Sequence, residues 1–173
     1  MSLFLREATR DDAVLIADIS RQTFYDTFAA DNSKEDMDKF LSEQFTKGKL
    51  MLEVGYRENT FLLAYLNDAV AGYVKLRDGK LPKELNGLQA MEIARLYVVK
   101  DFIGKGIGAS LMKASIERAS SAGKHCVWLG VWERNQRAID FYHRWGFEKF
   151  GECDFLLGDD WQLDWLMKKS LTG

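Results

Sequence analysis

The stretch Phe102-Ile103-Gly104-Lys105-Gly106-Ile107-Gly108 follows an apolar run that ends near Val99 and precedes a helical pattern that begins near Lys105. Glycine lacks a Cβ and takes positive φ readily, so successive N–H groups can line one concavity. A helix that begins there adds unpaired N–H donors and a positive dipole end. Such a backbone cradles phosphate, although a tight strand-to-helix turn that binds nothing has the same composition. Gly104, Gly106 and Ala109 also satisfy the dinucleotide pattern G-x-G-x-x-G/A, and Glu133 lies 24 residues beyond Ala109, near the place of a ribose-binding acid. The context opposes that reading. A dinucleotide fold opens on this turn and continues through several strand–helix units, whereas here a hairpin precedes it and only one helix and a second hairpin follow. A P-loop is excluded because no Gly-Lys-Ser/Thr stands at the required spacing.

The chain has 173 residues, 47% hydrophobic and 29% charged, with a net charge of −2. These totals fit one domain over residues 1–173 and give no basic footprint for nucleic acid. Cys126 and Cys153 both lie in apolar, strand-like runs and are read as buried free thiols in a reducing compartment. His125 and His143 are too few and too scattered for a metal site. No signal peptide and no membrane span is read, and a cytoplasmic protein is expected.

The elements that must hold the glycines follow from periodicity. Leu3, Phe4 and Leu5 open a strand, and Thr9 with Asp12 caps a helix whose buried face carries Ala13, Ile16, Ala17, Ser20 and Phe24. Ser33 with Asp36 caps a second helix through Met37, Phe40, Leu41 and Phe45. Residues 60–66 and 69–77 form a hairpin about Asn67-Asp68, residues 79–89 a surface loop, and residues 91–99 a long strand leading into the glycines. Ile107, Leu111, Met112, Ser115, Ile116 and Ala119 mark a helix closed by Gly123, and residues 126–132 are apolar enough for a strand covered on both faces. This βαβ unit predicts two parallel strands with a ligand crevice beyond their carboxyl ends. A helix from Asn135 to Trp145, closed by Gly146, precedes strands 147–157 and 161–168 joined through Gly158-Asp159-Asp160.

Leu96-Tyr97-Val98, then Ile103-Gly104-Lys105-Gly106-Ile107-Gly108, then Asn135, Ala138, Phe141, Tyr142, Gly146 and Phe147 together resemble the GNAT family of acetyl-CoA-dependent N-acetyltransferases, in order and spacing, over roughly residues 1–170. Thr23 to Phe28, Ala71 to Lys75, Trp128 to Glu133 and the Gly158 turn look like the PaiA-type polyamine acetyltransferases. The resemblance implies an α/β (α+β) fold. Its central sheet is mixed and mainly antiparallel, is flanked by helices, and has parallel fourth and fifth strands, 91–99 and 126–132, that splay into a V.

By the same resemblance, the pyrophosphate of acetyl-CoA rests on the N–H groups of Ile103, Gly104, Lys105, Gly106, Ile107 and Gly108 and on the helix start at Ala109. The pantetheine arm runs along Leu96, Tyr97 and Val98, and Asn135 contacts the cofactor or caps its helix. Ile103 stands where relatives carry Arg or Gln. The amine attacks the thioester, a backbone N–H near Val98 meets the oxyanion, and Tyr142 protonates the leaving thiolate. Ala94 replaces the acid that many relatives carry, which leaves Glu92, acting directly or through water, as the candidate base.

The expected acceptor is a small primary amine, a polyamine such as spermidine or spermine, met by Tyr25, Asp26, Asp31, Glu35, Asp159 and Asp160, although the acids near 31–38 also suit a solvated helix start. A protein or peptide amine is a second acceptor class, and an acyl-CoA-binding regulatory module without turnover is a third reading. Trp161 suits either the core or a homodimer contact.

Overall fold

A computed structural model of the chain describes residues 2–171. A single seven-stranded sheet, ordered β1-β2-β3-β4-β5-β7-β6, holds β1 (Leu3–Glu7), β2 (Asn59–Leu66), β3 (Ala69–Arg77), β4 (Ala90–Val98), β5 (Cys126–Trp132), β6 (Glu148–Leu157) and β7 (Asp160–Ser170). Every neighbouring pair is antiparallel except β4 with β5. That pair is in register only at Ala90↔Cys126, Met91↔Val127 and Glu92↔Trp128, after which the strands part. The expected splay is therefore present, and it leaves the carboxyl half of β4 without a neighbour on one side.

Two helical layers cover the sheet. On one face α4 (Ile107–Ser121) and α5 (Gln136–Arg144) bury Ile107, Leu111, Met112, Ile139 and Tyr142 against Val74, Ile93, Val127 and Leu129. On the other, α1 (Ala13–Phe28) presses Ile16 and Ile19 onto Phe61, Leu63 and Tyr73. The Ser33 cap is as read, whereas the Thr9 box closes a 3₁₀ turn, Arg10–Asp12, that leads into α1. Thr9 and Asp12 exchange side-chain to backbone bonds, and Ser33 Oγ accepts from Asp36 N at 3.1 Å. Asn67 and Asp68 both take positive φ, 50° and 69°, which suits the twist of a two-residue hairpin.

Several expectations need correction. The second helix does not run to Phe45. It is regular only as α2 (Lys34–Lys39), continues as a π turn over Phe40–Gln44, and is followed by α3 (Lys47–Glu53), an element the periodicity reading did not contain. Arg21 holds the π turn by donating Nη1 to the carbonyls of Leu41 and Phe45, which satisfies acceptors that the broken helical ladder leaves open. Thr46 Oγ1 accepts from Lys49 N and starts α3, so a cap signal was there to be read. The 79–89 loop is not wholly superficial, because Leu85 is fully buried beside Ala90, Cys126, Trp128 and Leu166. Cys126 is buried as expected, but Cys153 is exposed, on the edge strand β6.

Candidate active site

Where β4 and β5 separate, a cavity of about 760 Å³ runs through the sheet. Its walls on the α4 and α5 side are Leu96, Val98, Phe102, Ile103, Gly104, Gly106, Ile107, Gly108, Ala109, Asn135, Ala138, Phe141 and Tyr142. On the α1 side they are Phe24, Phe28, Phe40, Phe45, Glu53, Lys75, Arg77 and Arg95, with Trp132, Phe155, Leu157 and Asp164 closing the far edge. Most of the residues expected to bind a cofactor thus meet in one place; Lys105 is exposed and is not part of the wall.

The glycine cradle is built as its composition suggests, with one difference. Gly104 and Gly106 have φ of 86° and 83°, a region costly to any residue with a Cβ, and Gly106 opens α4 without a side-chain cap. No backbone N–H from 104 to 109 finds a backbone acceptor, so these donors converge unpaired at the positive end of a fifteen-residue helix. Ile103 is outside this set, because its N–H donates to Lys100 O at 3.3 Å. Arg137 and Arg144 also line the cavity. Asn135 Oδ1 accepts from Ala138 N at 3.4 Å while the residue lines the cavity, so it caps α5 at the site itself.

The open edge of β4 is the second feature. Val99 N donates to Ala71 O at 2.8 Å, toward β3. Peptide groups alternate in direction along a strand, so those of Leu96 and Val98 point away from β3, into the gap that β5 has left. They are unfilled hydrogen-bonding positions along an extended edge.

A bulge in β4 sets which side chains face the chamber. Leu76 pairs with Ile93 and Lys75 with Arg95, so Ala94 is the extra residue and the alternation shifts there. Glu92 opposite Arg77, Arg95 opposite Lys75 and Tyr97 opposite Tyr73 consequently share the α1 face. Glu92 is nevertheless occupied. Its Oε1 accepts from Arg77 Nε at 2.6 Å, and it does not line the cavity.

Two titratable groups in the wall are poised. Tyr142 is buried and lines the cavity, its phenol has no hydrogen-bond partner among the described residues, and burial pushes it up to about 12. Asp164 of β7 pairs with Trp132 and faces Gly130, whose missing side chain leaves its carboxylate room. It has no hydrogen-bond or ion-pair partner among the described residues, and burial raises it to about 6. Asp164 belongs to no motif of the sequence.

The expected amine-binding residues lie outside the cavity wall, although the 158–160 turn meets the start of α2, where Asp159 N donates to Asp36 Oδ1 and Gln162 Nε2 donates to both Asn32 Oδ1 and Asp160 Oδ2. Tyr25 and Asp31 are exposed, Asp26 accepts from Gln22, Lys39 pairs with Asp159 at 2.6 Å, Glu35 is exposed on α2, and Asp160 accepts from Gln162; none lines the cavity. Trp161 is 68% exposed rather than core.

A sequence model of the "Acetyltransferase (GNAT) family" matches residues 20–147. The chain belongs to the GNAT acetyltransferase family. An N-acetyltransferase from Lactobacillus delbrueckii subsp. lactis, named for its place in the pepI 3' region and otherwise uncharacterized, is 41% identical over 154 residues, covering 89% of each chain. The spermidine N(1)-acetyltransferase of Thermoplasma acidophilum is 24% identical over 163 residues, covering 91% of this chain and 96% of that one. The crystal structure of the PaiA N-acetyltransferase from Thermoplasma acidophilum in complex with coenzyme A superposes with a TM-score of 0.79, covering 98% of this GNAT chain and 99% of that chain at 22% identity. This GNAT protein is therefore an N-acetyltransferase by family, and its mixed sheet with a parallel β4/β5 pair is the fold of its relatives.

Proposed function

We propose that the chain transfers an acetyl group from acetyl-CoA to the nitrogen of a small primary amine. The observation that carries this reading is the pairing of an N–H cradle at residues 104–109 with the β4 peptide edge of Leu96 and Val98, neither bonded to backbone among the described residues, in one cavity. A pyrophosphate suits the cradle, where helix N–H groups and Arg137 and Arg144 oppose its charge. The pantetheine amides suit the strand edge, which they would complete as an added strand. Bound there, acetyl-CoA supplies an acetyl thioester at the point where the sheet opens.

The residues of this chain then divide the work. Asp164, ionised above about 6, takes a proton from the entering ammonium or holds the amine as its nitrogen bonds to the acetyl carbon. Val98 N–H points at the gap and donates to the carbonyl oxygen as that oxygen gains charge. Tyr142 gives its phenolic proton to the sulfur as the C–S bond breaks, and its raised pKa keeps that proton in place at neutral pH. The second proton that the nitrogen sheds as it becomes an amide restores the Tyr142 phenol, and the proton left on Asp164 returns to solvent. Glu92 has no step in this scheme because Arg77 holds it.

Spermidine and spermine lead the acceptors to be tested on the strength of the Thermoplasma relative's name. The test is release of coenzyme A and mass-detected acetylated product across polyamines, amino acids, aryl-alkylamines and peptide N-termini. Tyr142→Phe is expected to bind acetyl-CoA normally and to lose roughly 10²–10⁴-fold in kcat. If no amine in the panel is acetylated, the transferase reading fails and a binding module remains.

A further inference from the structure

The chamber on the α1 side is walled by Phe24, Phe28, Phe40, Phe45 and Phe155, and at its β3/β4 end it is cationic. Lys75, Arg77 and Arg95 all line it, against one lining carboxylate there, Glu53, and Glu92, which bonds Arg77 Nε from outside the wall. Glu53 Oε1 accepts from Arg95 Nη2 and lies 3.3 Å from Lys75 Nζ, so a single oxygen serves two cations. Lys75 is buried, and its ammonium is pulled down to about 8, first by desolvation and then by the charge of Arg95. Arg95 is 10% exposed, and its Nη1 is buried with no hydrogen-bond acceptor. A buried guanidinium donor left unpaired is costly, and a second carboxylate would relieve it. The residue is also well placed. Arg95 of β4 and Asp164 of β7, beside Trp132, line the same cavity on the α1 face of the sheet. An amine at Asp164 and a carboxylate at Arg95 can therefore belong to one small molecule.

We infer that the acceptor carries a carboxylate, held by Arg95 with Arg77 and Lys75, and an aromatic or aliphatic body against the phenylalanine walls: a hydrophobic amino acid rather than a polyamine. The inference rests on the transferase reading above and names its substrate class. The bonds made and broken are unchanged, nitrogen to acetyl carbon and carbon to sulfur, with the carboxylate a spectator.

Matched pairs that differ only in the carboxylate test it, phenylalanine against phenethylamine and leucine against isoamylamine, beside spermidine. A buried donor set built for an anion rejects the analogue that lacks it, so kcat/KM is expected to favour the amino acid by about 10²–10³-fold. Arg95→Gln should raise KM for phenylalanine about 100-fold while changing phenethylamine turnover less than about threefold, which also shows that the variant is folded. Arg77→Gln, at a half-buried position, should act in the same direction more weakly. Equal or better turnover of phenethylamine or spermidine overturns the carboxylate site and leaves the transferase reading standing. Failure of every amine to release coenzyme A overturns both.

Discussion

At the scale of single residues the site turns on carboxyl and phenol groups held out of water. Asp164 titrates from an ordinary 3.8 up to about 6 because burial disfavours its charge and no partner compensates. If it accepts the amine proton, kcat/KM should climb with pH through about 6, and Asp164→Asn should remove that limb and lower the plateau about 10²–10³-fold. Stability should move the opposite way. A carboxyl whose folded pKa is raised stabilises the fold while protonated, and that contribution is lost as pH rises from 3.8 through 6. At pH 7 Asp164→Asn should therefore be more stable than the parent, on the order of 1–2 kcal/mol after allowing for solvent screening, as read by urea unfolding. A variant that is slower but no more stable, with the acid limb intact, would remove Asp164 from the mechanism. Tyr142 was legible from the sequence because it sits in a spaced motif; Asp164 was not, because its meaning depends on Gly130 across the sheet and on the gap beside it.

At the scale of elements, the start of α4 and the departure of β5 are what the glycines serve. The positive φ of Gly106 and the helical position of Gly108 make them unequal. A Cβ on Gly108 would meet only the Phe141 ring and Val98 Cγ2 at ordinary contact, 3.6 and 3.7 Å. A β-branched residue at Gly106 is forced into the left-handed region at a cost of roughly 1–3 kcal/mol and turns the first N–H groups of the helix away. Isothermal titration with coenzyme A should rank the losses Gly106→Val greatest, Gly108→Ala small and Ile103→Ala smallest, the first at least about tenfold. Equal losses in all three would show that side chains rather than backbone donors hold the phosphates. Periodicity disclosed β3, β4, α4, β5 and α5 within a residue or two, because each pairs a strong pattern with a cap or a glycine stop. It did not disclose the π turn or α3, where Arg21 from another helix decides the path of the backbone. Glu53, at the end of α3, was therefore missed as a wall of the chamber.

At the scale of the whole molecule, the sheet is a continuous hydrogen-bonded body except at one seam, and the cavity passes through that seam. The chain's net charge of −2 gives no hint of a cationic chamber, because Lys75, Arg77 and Arg95 come from two strands facing α3 and a bulge aligns them. Joining the seam is the largest change a ligand can make to this fold. A coenzyme arm lying on the Leu96 and Val98 peptides supplies bonds that β5 does not, and it ties α4, β4 and α5 together. At a hundredfold excess over Kd, binding to the folded state alone adds about 2.7 kcal/mol. For a chain of this length that corresponds to a rise in Tm of roughly 5–10 °C. Slowed amide exchange should accompany it, concentrated at Leu96, Val98 and residues 104–109, with β1 and β2 little changed. A thermal shift of that size without protection at Leu96 and Val98 would mean that the ligand grips the phosphate cradle and leaves the seam open. The thioester would then lie away from Val98, Tyr142 and Asp164, and the proton transfers assigned to them would lose their geometry.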